Sequence, residues 1–235
     1  MKRIGIIGGL GPEATVDYYK NIIDAFNKIN EDGSLNYPDI IIYSVNMALF
    51  FAMLDKKAYT KAAAYISGNI ENLANAGADF VAISANTPHL FFDEIKKRSP
   101  LPMLSIVEAA AEKAREMELK KCGLLGTRFT MESQFFDKVF ANYDIGITTP
   151  SETQKERINE LLFRELEMGI FKESTKKELL DMVQEMIDKH SIDSVILGCT
   201  EFPIMFTEDA YCGIPFLNTT RIHVKAIVEE CLKSN

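Results

Sequence analysis

The chain is short of the residues on which several common chemistries depend. Three histidines occur in 235 residues, none at metal-ligand spacing, and neither a His-Glu-x-x-His nor a Gly-x-Ser-x-Gly pattern is present. Zinc hydrolases and serine nucleophile elbows are therefore not expected, and no metal is assigned. The four cysteines, Cys122, Cys199, Cys212 and Cys231, contain no Cys-x-x-Cys pair and are too sparse for a disulfide framework, so each is a thiol. Positive charge is also scarce, with 26 Lys and Arg against 34 Asp and Glu and a net charge of −8. Such a chain repels phosphate backbones, which argues against a nucleic acid partner. No run approaches the ~18 apolar residues of a membrane helix, and the opening Met1-Lys2-Arg3-Ile4-Gly5-Ile6-Ile7-Gly8 breaks its apolar stretch with glycine too early for a signal peptide. The expected setting is the cytoplasm. What remains, 47% hydrophobic and 26% charged residues, is ordinary globular composition.

Short β-branched runs alternate with longer segments of helical period. The expected strands are Arg3–Gly8, Asp39–Val45, Phe80–Ser84, Met103–Ile106, Lys121–Leu125, Ile145–Thr148, Ser194–Leu197 and Pro215–Leu217. After Pro12, the residues Val16, Tyr19, Ile22, Ile23, Phe26 and Ile29 form one helical stripe, and Tyr59–Ala76, Val107–Met117, Lys155–Met168, Ser174–His190 and Thr219–Lys233 behave similarly. This alternation predicts an α/β protein with parallel sheets covered by helices. The chain also repeats itself. Gly5-Ile6-Ile7-Gly8 is echoed by Gly123-Leu124-Leu125-Gly126, and Val81 through Thr87 by Val195 through Glu201. Gly123 stands 118 residues after Gly5, and Cys199 stands 114 after Ala85, so one register relates both pairs. Two half-size units facing each other across a pseudo-twofold axis are expected, with Ala85 and Cys199 on opposite sides of one cleft.

The repeated segments lie at the carboxyl ends of strands, where parallel sheets bind ligands. Gly9-Leu10-Gly11-Pro12-Glu13-Ala14 fits a dinucleotide glycine turn, but the second strand ends Tyr43-Ser44-Val45-Asn46-Met47 without the acidic residue that would hold a ribose. A small carboxylate suits the turn better, and packing alone is the other reading. Cys122, Cys212 and Cys231 are taken as small core hydrophobes. Cys199 follows Val195-Ile196-Leu197-Gly198, and a helix starting there would lower the thiol's pKa and favour thiolate. At the matching strand end, Asn86 and Thr87 offer donors and acceptors for a carboxylate and an ammonium. Thr87 could also cap a helix with Pro88 at its first position. His89 is equally compatible with structure and catalysis, while His190 ends a helix and His223 lies within the last one.

Taken in order, Ile4 through Thr15, Ala85-Asn86-Thr87-Pro88-His89, Gly126-Thr127 with Thr130, Gly198-Cys199-Thr200-Glu201 and Phe216 through His223 resemble the cofactor-independent aspartate/glutamate racemase superfamily, in particular its aspartate racemase branch. The resemblance covers nearly the whole chain. It implies two Rossmann-like subdomains, residues 1–112 with 214–235 and residues 113–213, the last strand and helix returning to the first. It implies a homodimer, no pyridoxal phosphate or metal, and a small amino acid or carboxylate as substrate. It also implies thiol acid/base chemistry at the α-carbon, one thiolate removing the proton while a thiol opposite supplies another. Gly9, Leu10, Gly11, Asn86, Thr87, Thr127, Thr130, Thr200 and Glu201 become the substrate-binding groups by the same resemblance.

The departure is Ala85, which stands where the superfamily has its first catalytic cysteine. A methyl group neither gives nor takes a proton. Cys199 is the remaining catalytic thiol, and three readings follow. Racemisation persists with water or the Thr87 hydroxyl as the other proton carrier; the protein is a one-cysteine decarboxylase or isomerase; or it is a catalytically inactive amino-acid-binding regulator. An aspartate site further needs a cation for the side-chain carboxylate. The loop after the second strand has none before Lys56 and Lys57, and Glu167 stands where some aspartate racemases carry lysine, leaving Arg164 or Arg128 as candidates. The apolar run Leu49–Leu54 fits a buried helix, a lid or a dimer surface.

Overall fold

The computed structural model of the protein describes residues 1–233. The chain divides into two compact units, residues 1–106 with 223–235 and residues 107–222. No helix among the described residues is long and apolar enough to cross a membrane.

The first unit contains β1 (Ile4–Gly8), α1 (Pro12–Ile29), β2 (Ile40–Ser44), α2 (Met47–Asp55), α3 (Tyr59–Asn75), β3 (Phe80–Ile83), a 3-10 turn at Thr87–Phe91, α4 (Phe92–Arg98) and β4 (Met103–Leu104). Its sheet has the order β2-β1-β3-β4 and is parallel throughout. β1 is buried along its whole length, with Ile4, Ile6 and Ile7 fully enclosed. Each such isoleucine contributes roughly 1.5–3 kcal/mol by leaving water. β4 is shorter than its sequence suggests, because Ile106 begins the next helix and donates its N–H to His89 Nε2 at 3.3 Å.

The buried face of α1 is not the expected stripe. Val16, Tyr19 and Ile29 are exposed, and Ala14, Thr15, Tyr18, Ile22 and Phe26 face the core. Tyr18 sets this phase: its hydroxyl donates to His223 Nδ1 at 2.9 Å inside the core, a bond that Tyr19 cannot make from its own side of the helix.

The second unit follows α5 (Ile106–Glu116) and holds β5 (Lys121–Leu125), α6 (Arg128–Glu132), α7 (Phe135–Ala141), β6 (Gly146–Thr148), α8 (Glu152–Arg164), a 3-10 turn at Leu166–Met168, α9 (Glu173–His190), β7 (Ser194–Leu197), α10 (Phe202–Met205), β8 (Ala210–Tyr211) and β9 (Ile214–Asn218). The sheet order is β6-β5-β7-β9-β8, parallel except for the β8–β9 hairpin. Cys212 and Gly213 form the two-residue hairpin turn, both with positive φ, 51° and 78°. That geometry matches the right-handed strand twist. Cys212 is thus an exposed turn residue and not the core residue expected of it, whereas Cys122 and Cys231 are buried.

The last strand also differs from expectation. β9 pairs with β7 through Val195 opposite Phe216 and Leu197 opposite Asn218, so it belongs to the second sheet and does not return to the first. The physical reason is core packing: Phe216 of β9 is buried with Val195, Leu197 and Phe206 in the second unit's core. α11 (Thr219–Leu232) begins in the second unit, and Val224, Ile227, Val228 and Cys231 join Ile4, Ile6, Tyr18 and Phe26 in the first unit's core.

Two buried histidines knit this core. His89 Nδ1 donates to Ala85 O at 3.0 Å, and His223 Nε2 donates to Leu104 O at 3.2 Å. Burial pushes His89 down to about 4, and burial with the nearby His89 pushes His223 to about 3. The unfolded chain therefore takes up these protons near the ordinary 6.5, before the folded chain does. Their contribution is intact above that pH and is lost as pH falls toward 4. Urea unfolding should show a loss on the order of 2 kcal/mol between pH 7 and 5 from the His89 ring. The pH slope should flatten in His89→Gln, and equal slopes for the two proteins would refute this account.

Candidate functional site

At the carboxyl end of β1 the chain turns sharply through Gly9 and Gly11, with φ of 81° and 96°. A Cβ on Gly9 would lie 2.5 Å from Val45 O, so glycine is required by both conformation and space. Thr15, not singled out from the sequence, locks the turn: its hydroxyl accepts the Gly9 N–H at 2.9 Å, donates to Gly11 O at 3.2 Å and sits 3.4 Å from Ser84 Oγ. The Gly9 amide is therefore committed to Thr15, which corrects its expected role as a carboxylate donor. Leu10 and Gly11 remain as ligand-facing candidates of that turn.

At the end of β3, Asn86 is buried and neither its Oδ1 nor its Nδ2 has a hydrogen-bond partner. A buried amide with both ends unpaired costs several kcal/mol on general grounds, which makes Asn86 a candidate for meeting a ligand. Thr87 does not cap a helix with its side chain: it is the first residue of the 3-10 turn, with Pro88 next. His89 is fixed as a neutral structural ring, donating to Ala85 O, accepting from Ile106 N–H and stacking on Phe92 at 4.9 Å. Ala85 itself is buried.

In the second unit Thr127 caps α6, accepting the Thr130 N–H at 3.2 Å, and the two threonine hydroxyls lie 3.1 Å apart. Cys199 is buried just beyond β7, and its thiol donates to Glu201 Oε2 at 2.8 Å. The Thr200 hydroxyl donates to both oxygens of the same carboxylate at 3.1 Å. Burial and then the Glu201 charge push the thiol's pKa well above its ordinary value, with Glu167 adding to the effect. The expected thiolate is thus overturned. α10 has four residues and starts only at Phe202, too short and too late to offset burial beside a carboxylate. Cys199 rests as an acid.

Glu167, from the 3-10 turn after α8, brings a carboxylate oxygen into this cluster: one donor atom each of Glu167, Cys199 and Glu201 lies within 4.8 Å of the others. Glu167 is an exposed residue, yet partial enclosure of its carboxyl and then the Glu201 charge raise it to about 7. One thiol and two carboxylates form a donor set that a metal could use only by displacing the thiol proton. The cations considered for a substrate carboxylate are engaged elsewhere. Arg128 pairs with Glu132, Glu152 and Glu156, and Arg164 pairs with Glu160. The spacing of 32 residues between Glu167 and Cys199 gave no sequence signal of their contact. The Thr220 hydroxyl, buried and without a partner just past β9, was also not anticipated.

Comparison with known proteins bears on the family and the fold. The chain is 26% identical over 231 residues to the broad specificity amino-acid racemase RacX of Bacillus subtilis (strain 168), spanning 97% of this chain and 98% of that one. An aspartate racemase homologue from Pyrococcus horikoshii OT3 superposes with a TM-score of 0.84 at 32% identity, over 99% of this chain and all of the other. The aspartate racemase of Picrophilus torridus shares the fold, with a TM-score of 0.74 at 21% identity over 100% and 96% of the two chains. The Asp/Glu/Hydantoin racemase family pattern matches residues 7–227, and the chain belongs to that family.

Proposed function

We propose that this protein is an amino-acid racemase that works by side-chain acid/base chemistry, with Cys199 as its single thiol. The observation that carries this reading is the 2.8 Å hydrogen bond from Cys199 Sγ to Glu201 Oε2 in a buried site. A thiol that must take an α-proton needs somewhere to leave its own, and Glu201 is placed to accept it. The resting pair favours the protonated thiol, but an amino acid brings an ammonium whose charge stabilises the deprotonated form. The groups proposed for the α-carboxylate and ammonium, on the family resemblance, are Leu10, Gly11 and Asn86 of the first unit and Thr127, Thr130 and Thr200 of the second; Asn86 has both amide atoms unpartnered and offers a donor and an acceptor. Ala85 takes no proton, so the opposite face exchanges with water or through the Thr87 hydroxyl. Cys199 at rest as an acid also favours a second reading, a decarboxylase or isomerase that needs protonation from one side only.

Proton NMR of L- and D-amino acids in D2O separates these. Racemisation predicts α-deuteration with inversion, reduced about a hundredfold or more in Cys199→Ser. Thr87→Val should slow the inverting step if its hydroxyl carries the proton and leave it unchanged if water does. Exchange of one enantiomer without inversion would move the assignment to the one-sided reading. No exchange of any amino acid, with binding retained, would make the protein a binder.

The resting acid has its own test. In a Cys212→Ser background, iodoacetamide should label Cys199 slowly at neutral pH, since only thiolate reacts. Glu201→Gln removes the negative charge and should move the labelling midpoint to lower pH. An unchanged midpoint would remove Glu201 as the thiol's partner.

We also assign a second copy of the chain to the apolar surface of β2 and α2. Ile42, Tyr43, Met47, Leu49 and Phe51 are exposed there, while Phe50 and Leu54 point into the core. The run Leu49–Leu54 is thus a helix buried on one side only. Sedimentation of Leu49→Asp/Phe51→Asp should show a smaller species than the unaltered protein, and an unchanged species that is still folded would reject this surface.

A further inference from the structure

We propose that Glu167 selects the side-chain charge of the substrate, and that the preferred substrates are amino acids carrying a side-chain cation, such as lysine or ornithine. The inference rests on the racemase reading of the Cys199 site. Its basis is the charge that surrounds the reacting thiol. Glu167 and Glu201 each bring a carboxylate oxygen within 4.8 Å of the other and of Cys199 Sγ. Among the described residues, no Lys or Arg forms an ion pair with either carboxylate, and Arg128 and Arg164 are held by glutamates on the helix faces.

A reacting α-carbon must come to about 3–3.5 Å from the sulfur. At that distance the substrate's side chain starts within a few ångströms of Glu167. An aspartate or glutamate side chain would add a further anion to a cluster that already holds two carboxylates, with no cation to pair it. A side-chain ammonium does the opposite: it pairs with Glu167 and relieves a carboxyl that its surroundings hold partly protonated near neutrality. Glu201 is occupied by the Cys199 thiol and the Thr200 hydroxyl, which leaves Glu167 as the carboxylate free to meet the side chain.

The test compares kcat/KM for α-proton exchange of lysine, ornithine, norleucine, aspartate and glutamate. In the unaltered protein lysine should exceed norleucine by about tenfold or more, and aspartate should fall below norleucine. In Glu167→Gln the lysine to norleucine ratio should drop by about tenfold, and in Glu167→Lys the aspartate to norleucine ratio should rise by a similar factor. Aspartate turned over as well as lysine by the unaltered protein would overturn the proposal. An equal loss on lysine and norleucine in Glu167→Gln would also overturn it, placing Glu167 on the α-ammonium instead. If no amino acid exchanges its α-proton, the racemase reading fails separately. Calorimetric binding of lysine and norleucine to the unaltered protein and Glu167→Gln then reads the same ratio, and equal affinities would reject the charge selection.

Discussion

Parallel pairing of β1 with β2 and β3, and of β5 with β6 and β7, imposes a direction on everything else in each unit. Parallel neighbours cannot be joined by a tight turn, so the chain must travel back along the sheet, and the return is made by helices. All strands of a unit then finish at the same edge, and the residues after them collect there. The glycine turn, Asn86 and Thr87 gather at one such edge, and Thr127, Thr130, Cys199 and Glu201 at the other. Among the described residues the one antiparallel pair, the β8–β9 hairpin, lies at the far margin of its sheet and leaves this arrangement untouched.

Electrostatics give the second edge its character. The chain carries eight more negative than positive charges, and many of the positive ones are spent on helix surfaces, as in the pairs of Arg157 with Glu160 and Glu178. Exposed pairs of this kind contribute little to stability. Their consequence here is that arginines near the sequence of the site do not reach it. A thiol buried beside a carboxylate, with a second carboxylate close by, stays protonated, whatever partial positive charge a one-turn helix offers.

Most strands, and the position of Cys199 at a strand's carboxyl end, were legible because they depend on local pattern. β5 and β7 lie where their β-branched and apolar runs lie, and Cys199 follows directly from the end of β7. Features that depend on contacts between distant segments were not legible. The side of α1 that faces inward is decided by His223, over two hundred residues away. The sheet to which β9 belongs is decided by pairing with β7 and packing of Phe216 against distant residues, which no property of Ile214–Asn218 reveals. The direction of the Cys199 shift depends on burial and on the orientation of the Glu201 carboxylate toward the thiol, neither of which the strand-end position of Cys199 reveals. The hairpin turn at Cys212-Gly213 lacks the usual Asn-Gly signal, so its strand β8 was not anticipated.

α11 starts beside β7, where the Thr219 hydroxyl donates to Leu197 O, and ends in the core of the first unit. Near that end Cys231 O accepts the Lys2 N–H, the Cys231 thiol donates to Lys2 O, and Lys2 pairs with Glu230. β1 is therefore covered by a segment more than two hundred residues further along the chain. The core of the first unit is closed by contacts of very long sequence separation, whereas residues 107–222 form their unit from one continuous stretch. Contacts so far apart in sequence cost more chain entropy to close than local ones.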